Sequence, residues 1–91
     1  MTGLVNIKKA RCEVYIGRGT PFGNPYVIGE NGTREDVIRL FRAYFYERLK
    51  REPEWKAKVE KLKGKVLGCH CLPQDCHGRI YIEFLDKGIK E

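Results

Sequence analysis

The chain predicts a small α/β or α+β fold. Three observations carry that expectation. Short β-branched and aromatic runs lie near the N-terminus, a long stretch with helical apolar spacing fills the middle, and a further apolar run leads into one more helical stripe near the C-terminus. A helical crossover between strands favours a sheet with helices packed on it. Ninety-one residues make one domain, 1–91, whose core is thin. A chain of this size buries about 60–65% of its unfolded surface, so a metal, a disulfide or a partner would help it.

The elements follow in order. Leu4–Ile7 and Val14-Tyr15-Ile16 suit short strands. Gly17 to Pro25 holds three glycines and two prolines and is a loop. Tyr26-Val27-Ile28 reads as another short extended piece, closed by the turn Gly29-Glu30-Asn31-Gly32. Thr33 can cap a helix, with Asp36 three residues on as in a capping box. Val37, Ile38, Phe41, Tyr44, Phe45 and Leu49 then form one apolar stripe, which sets a helix over 33–52. Pro53 stops it and opens a second helix, 53–63, with Trp55, Val59 and Leu62 inward and Gly64 at its end. Lys65–Cys71 reads as a strand. Asp75 can cap a last helix over 76–86, with Cys76 in its first position and Ile80, Tyr81, Phe84 and Leu85 buried. The joint between that strand and helix falls at the carboxyl end of the sheet, where open α/β sheets bind ligands.

The N-terminal residues lack the apolar core of a leader, and no apolar run approaches the ~20 residues of a membrane span. The expected location is the cytoplasm, with no membrane partner. Thiols there stay reduced, so clustered cysteines read first as metal-binding or catalytic. The 33% of charged residues resembles the composition of proteins from hot environments, whose cytosols tolerate disulfides, and that reading stays open. The net charge is +6, and most of it lies in Arg48–Lys65, with eight basic residues against three acidic ones. Such a strip can meet the phosphates of nucleic acid. It equally suits a solvated helical face with pairs such as Glu54–Lys58.

Three of the four cysteines and both histidines lie between Gly68 and Gly78. This loop has three readings. Cys69, Cys71, Cys76 and His77 could form a Cys₃His shell for zinc, though C-x-C-x4-C-H is not the paired C-x2-C spacing of zinc knuckles. Alternatively, Cys76 at a helix start meets free backbone N–H groups and the helix dipole, which favour a thiolate and bind anions. His77 would then be its acid or base. Thirdly, the cysteines pack as small hydrophobes or form a disulfide, Cys69–Cys76 or Cys71–Cys76. If Val66–Cys71 is extended, Cys69 and Cys71 point to one face and His70 to the other.

Gly17–Pro25 is neither a P-loop nor a dinucleotide fingerprint, since G-x4-G-K-S/T is absent and Pro21 and Pro25 forbid a direct opening into a helix. It is a tight turn packed under Phe22, or one wall of the same pocket. In the second case Arg18, Thr20, Phe22 and Asn24 contact the ligand, with Phe22 stacking on a ring.

The segments V-Y-I-G-R-G-T-P-F-G-N-P-Y (Val14–Tyr26) and G-K-V-L-G-C-H-C-L-P-Q-D-C-H-G (Gly64–Gly78) together resemble a small family of prokaryotic, phage and plasmid proteins classed as a domain of unknown function. Phe22 stands where that family often shows Trp, and His70 occupies a variable position of the second motif, so the resemblance discounts it as a ligand. The second segment resembles, more weakly, another uncharacterised family with a Cys-His-Arg helix start, where Gly78 here replaces the Arg. The resemblance implies that both segments belong to the site and supports the α/β or α+β expectation. It implies no activity. The function expected from the residues is a pocket that binds or acts on a nucleotide or other phosphate-bearing ligand. In that pocket Cys76 and His77 are catalytic, and Arg18, Thr20, Phe22 and Asn24 are substrate contacts. The alternative is a zinc-stabilised nucleic-acid-binding module using Arg48–Lys65, and the third is an interaction protein with structural cysteines.

Overall fold

The longest predicted helix forms where its cap signals it. In the computed structural model, which describes residues 1–17, 19–70 and 76–88, α1 runs Arg34–Arg51. Thr33 Oγ1 accepts the Asp36 N–H and the Asp36 carboxylate accepts the Thr33 N–H, so the capping box is complete. Val37, Ile38, Phe41, Phe45 and Leu49 are buried, as the stripe predicts. Pro53 opens α2, Pro53–Glu60, without a side-chain cap. Residues 61–65 leave it in tight turns through Gly64, whose φ of +82° only glycine adopts readily, so α2 stops short of the expected residue 63.

The strands β1 (Gly3–Asn6), β2 (Val14–Tyr15) and β3 (Val66–Cys69) form one parallel sheet in the order β1-β3-β2. Leu4 pairs with Leu67 and Tyr15 with Gly68. Tyr26–Ile28 joins no strand. It is held instead by a turn in which the Val27 N–H donates to Asn31 Oδ1. The β2-to-β3 crossover carries α1 and α2, while α3 (Gly78–Lys87) packs on β1. The β1-to-β2 link is short for a parallel connection, which usually needs a dozen residues or more. It manages by crossing directly over Gly68. A Cβ there would lie 2.5 Å from Cys12 Sγ and 2.6 Å from Ile7 Cγ2. Leu67 and Cys69, on the opposite side of the pleat, are buried.

The core lies between α1, α2, α3 and that sheet face. Phe45 is its hub, edge-on or tilted to Phe41, Tyr46, Trp55, Tyr81 and Phe84 at centroid distances of 4.9–5.8 Å. Each such pair adds about 0.5–1.5 kcal/mol beyond its buried area. This cluster fixes α3 against α1 and so fixes where α3 begins. Thr2 ties the periphery: its N–H and hydroxyl donate to the Asp86 carboxylate, and its oxygen accepts the Gly64 N–H.

Candidate functional site

The start of α3 differs from its sequence expectation. The helix begins at Gly78, with His77 at its N-cap, so Cys76 precedes the helix instead of occupying its first position. Bonds from the Arg79 N–H to the Cys76 carbonyl and from the Ile80 N–H to the His77 carbonyl form tight three-residue turns before the regular helix. Cys76 nonetheless serves as a cap, because its sulfur accepts the Gly78 N–H at 3.4 Å. Asp75, the expected cap, lies outside the described residues.

Gly78 allows a close approach that any side chain would force its neighbours to yield to. A Cβ there would meet Leu4 Cδ1 at 2.6 Å and Ile16 Cδ1 at 3.1 Å. The missing side chain lets the first turn of α3 settle on β1 and on the residue after β2. That approach brings His77 Nε2 to 2.7 Å from the Ile16 carbonyl oxygen. A carbonyl only accepts, so Nε2 carries the proton and the neutral ring presents Nδ1 as an acceptor. Nδ1 faces Cys76 Sγ at 3.5 Å. The thiol therefore donates to Nδ1 while receiving the Gly78 N–H. Moving the thiol proton to Nδ1 yields a thiolate beside an imidazolium, with every polar group still bonded: Nδ1–H and the Gly78 N–H to sulfur, Nε2–H to Ile16. Phe41 braces the ring edge-on at 5.1 Å. A nucleophilic thiol needs this constellation of thiol, base and a third group orienting the base.

Cys76 and His77 line a cavity of about 310 Å³, together with Tyr15, Gly17, Asn24, Tyr26, Ile28, Arg34, Val37, Ile38, Cys69 and His70. The volume falls at the lower end of small-ligand sites, and the lining has their mixture of aromatic and apolar walls with few polar groups. Both segments singled out in the sequence therefore meet at one cavity. The helical start of α1 completes the wall, through Arg34, Val37 and Ile38.

The expected contacts are redistributed. Asn24 reaches the cavity, but its amide is engaged, with Nδ2 donating to the Val37 carbonyl and Oδ1 accepting the Tyr26 N–H. It holds the loop to α1. Thr20 does not line the cavity; its hydroxyl donates to the Gly17 carbonyl at 2.7 Å and shapes the turn. Phe22 is also outside the lining and stands edge-on to Tyr81, 6.1 Å away, at the core. The aromatic walls are Tyr15 and Tyr26 instead. Arg18 and Cys71 lie outside the described residues. His70, discounted earlier, does line the cavity, edge-on to Tyr15 at 5.5 Å, because β3 ends at Cys69 and strand alternation no longer directs it away. Arg34 carried no sequence signal for the site beyond its place after Thr33.

Cys12, Cys69 and Cys76 are free thiols, so the Cys69–Cys76 disulfide does not form. Among the described residues no three His, Cys, Asp or Glu side chains are grouped to hold a metal. Of the basic strip, Arg48 is built into the fold: it pairs with Glu52 at 3.1 Å, donates to Tyr44 and to the Pro21 carbonyl, and lies over the Trp55 ring at 4.4 Å.

Residues 5–87 match the family described as Domain of unknown function (DUF4326). The chain belongs to this family. The match covers every element that builds the cavity. The chain is also 41% identical over 88 residues to the "Uncharacterized 12.4 kDa protein in nrdA-td intergenic region" of Enterobacteria phage T4, covering 97% of this chain and 81% of that protein. The DUF4326 assignment and the phage relative bear out the resemblance to a phage-associated domain of unknown function. No solved structure matches the chain. Among the described residues no helix is long and apolar enough to cross a membrane.

Proposed function

We propose that this DUF4326 chain binds a nucleotide or other phosphate-bearing ligand in the cavity between its two motifs and that Cys76 is the reactive group that meets it. The observation that carries the reading is the Cys76–His77 pair. Its imidazole tautomer is set by the Ile16 carbonyl, its sulfur receives a backbone N–H, and both side chains line the cavity. His77 takes the thiol proton. Tyr15 and Tyr26 offer rings to a flat ligand, and Arg34 offers positive charge to an anionic one.

Iodoacetamide labelling read by mass spectrometry at each cysteine tests this. Cys76 should label faster than Cys69, which lines the same cavity, and millimolar AMP should slow the labelling. Equal slow labelling of both, unmoved by AMP, would refute the reading. So would one equivalent of zinc on the purified chain that disappears in Cys76→Ala, which would support the metal-stabilised module instead.

A further inference from the structure

His77 gives the thiol cavity a base, but both of its ring nitrogens are committed. Nε2–H is held by the Ile16 carbonyl at 2.7 Å, and Nδ1 faces Cys76 Sγ at 3.5 Å. The ring is buried between Phe41 and Tyr81. A second imidazole lines the same cavity. His70 follows directly on β3, and it is exposed to solvent. Among the described residues no hydrogen bond or ion pair engages its ring. It stands edge-on to Tyr15, with centroids 5.5 Å apart. Tyr15 in turn lies against the Gly17 backbone, where a Cβ would overlap the Tyr15 hydroxyl and ring. Tyr15 and Gly17 line the cavity as well. This packing braces His70 at the cavity wall and leaves its nitrogens to water or a ligand.

We infer that His70 is the acid of this site and protonates the group that Cys76 displaces. This rests on the reading of Cys76 as the reactive group. The Cys76 sulfur gives an electron pair to the electrophilic atom of the ligand, and the bond from that atom to the leaving group breaks. The leaving group keeps the electron pair of that bond and takes a proton from the His70 imidazolium. His77 retains the thiol proton through the step, and His70 recovers its own from solvent. An imidazole open to water suits this work because it exchanges protons near neutral pH. The division of labour selects the chemistry of the ligand. A weakly basic anion departs unaided, whereas an alcohol oxygen or an amine nitrogen needs a proton as it leaves. The substrate class is accordingly a phosphate-bearing compound in which the broken bond ends on such an oxygen or nitrogen.

Two small reagents with unlike leaving groups test the inference on the full chain, with mass spectrometry reading the adduct at Cys76. Iodoacetamide releases iodide, which needs no proton. Hydroxyethyl disulfide releases an alkylthiolate, a basic leaving group whose departure an acid assists. His70→Ala should lower the disulfide rate relative to the iodoacetamide rate by about tenfold or more, and added imidazole should recover most of that loss. His70 is exposed, so the substitution opens no hole in the core. His77→Gln should slow both reagents alike. An unchanged ratio of the two rates in His70→Ala overturns the inference. Equal slowing of both reagents overturns it too, as does a loss that imidazole does not recover, since either places His70 in support of the thiol. These outcomes leave the reading of Cys76 intact. A parent chain in which iodoacetamide labels Cys76 no faster than Cys69 sinks that reading, and the inference with it.

Discussion

Replacing Gly78 by Ala tests whether close packing of α3 on β1 sets the thiol site. The added Cβ would lie 2.6 Å from Leu4 Cδ1 and 3.1 Å from both Leu4 Cδ2 and Ile16 Cδ1. Carbon atoms in contact prefer about 3.5–4.0 Å, so the closest overlap is about 1 Å. Ile16 is fully buried and cannot withdraw freely, and a Leu4 methyl can move only by turning its half-buried side chain. Overpacking of this kind costs about 1–3 kcal/mol. Alanine regains at most about 1 kcal/mol of helix propensity, and less in a first turn. The expected net loss is about 1–2 kcal/mol, a melting point lower by roughly 5–15 °C for a chain of this size. Thermal unfolding followed by circular dichroism measures it. Leu4→Ala removes both opposing methyls, so the double variant should be more stable than the two single losses predict, by at least about 0.5 kcal/mol. Cys76 labelling should slow in Gly78→Ala as His77 parts from the Ile16 carbonyl. A variant as stable as the parent, or strictly additive losses, would show that this contact does not position the helix.

Three further outcomes are expected. His77→Gln should slow iodoacetamide labelling of Cys76 by about tenfold or more, as loss of a positioned base does, with thermal unfolding as the check on folding. Tyr81→Phe should lower stability by about 1–2 kcal/mol in urea titration, because it strands the Phe22 carbonyl that its hydroxyl holds at 2.8 Å. Burial pushes that phenol far above its ordinary value of 10, so it donates at every working pH, and an unchanged urea midpoint would rule the bond out as structural. The Thr2 hydroxyl, and more weakly the Thr2 backbone N–H, hold the Asp86 carboxyl below its ordinary 3.8 against the opposing effect of burial. The unfolded chain then takes up this proton first as pH falls, so the contribution is complete above about pH 4 and is lost on acidification through the lower folded value. Asp86→Asn should flatten the acid limb of the stability curve, and an unaltered limb would contradict the linkage.

Local signals were strong where one residue type does one physical job. Thr33 with Asp36 marks the start of α1, Pro53 separates α1 from α2, and 3.6-residue spacing gives the buried faces of α1 and α3, because caps, ring constraints and periodicity act within a few residues. Tyr26–Ile28 has strand composition, but it lies outside the sheet, held by the turn in which the Val27 N–H donates to Asn31 Oδ1. Phe22 illustrates the same limit. An aromatic ring in a glycine-rich loop suits a ligand or a core equally, and the position of Tyr81 decided for the core. His70 reaches the cavity because alternation holds only while the strand lasts, and β3 ends at Cys69.

The sequence by itself determined the helices, the central strand, the two motifs and the prominence of Cys76 and His77, since these depend on short-range chemistry. Only the tertiary structure decided what that pair can do. Ile16 lies sixty-one residues from His77, and its carbonyl reaches the imidazole because Gly78 lets α3 rest on Leu4 and Ile16. That long-range contact fixes which ring nitrogen faces the thiol. Packing of α1 across the same opening adds Arg34, Val37 and Ile38. No local pattern encodes these neighbours, because they are brought together by the burial of side chains far apart in the chain.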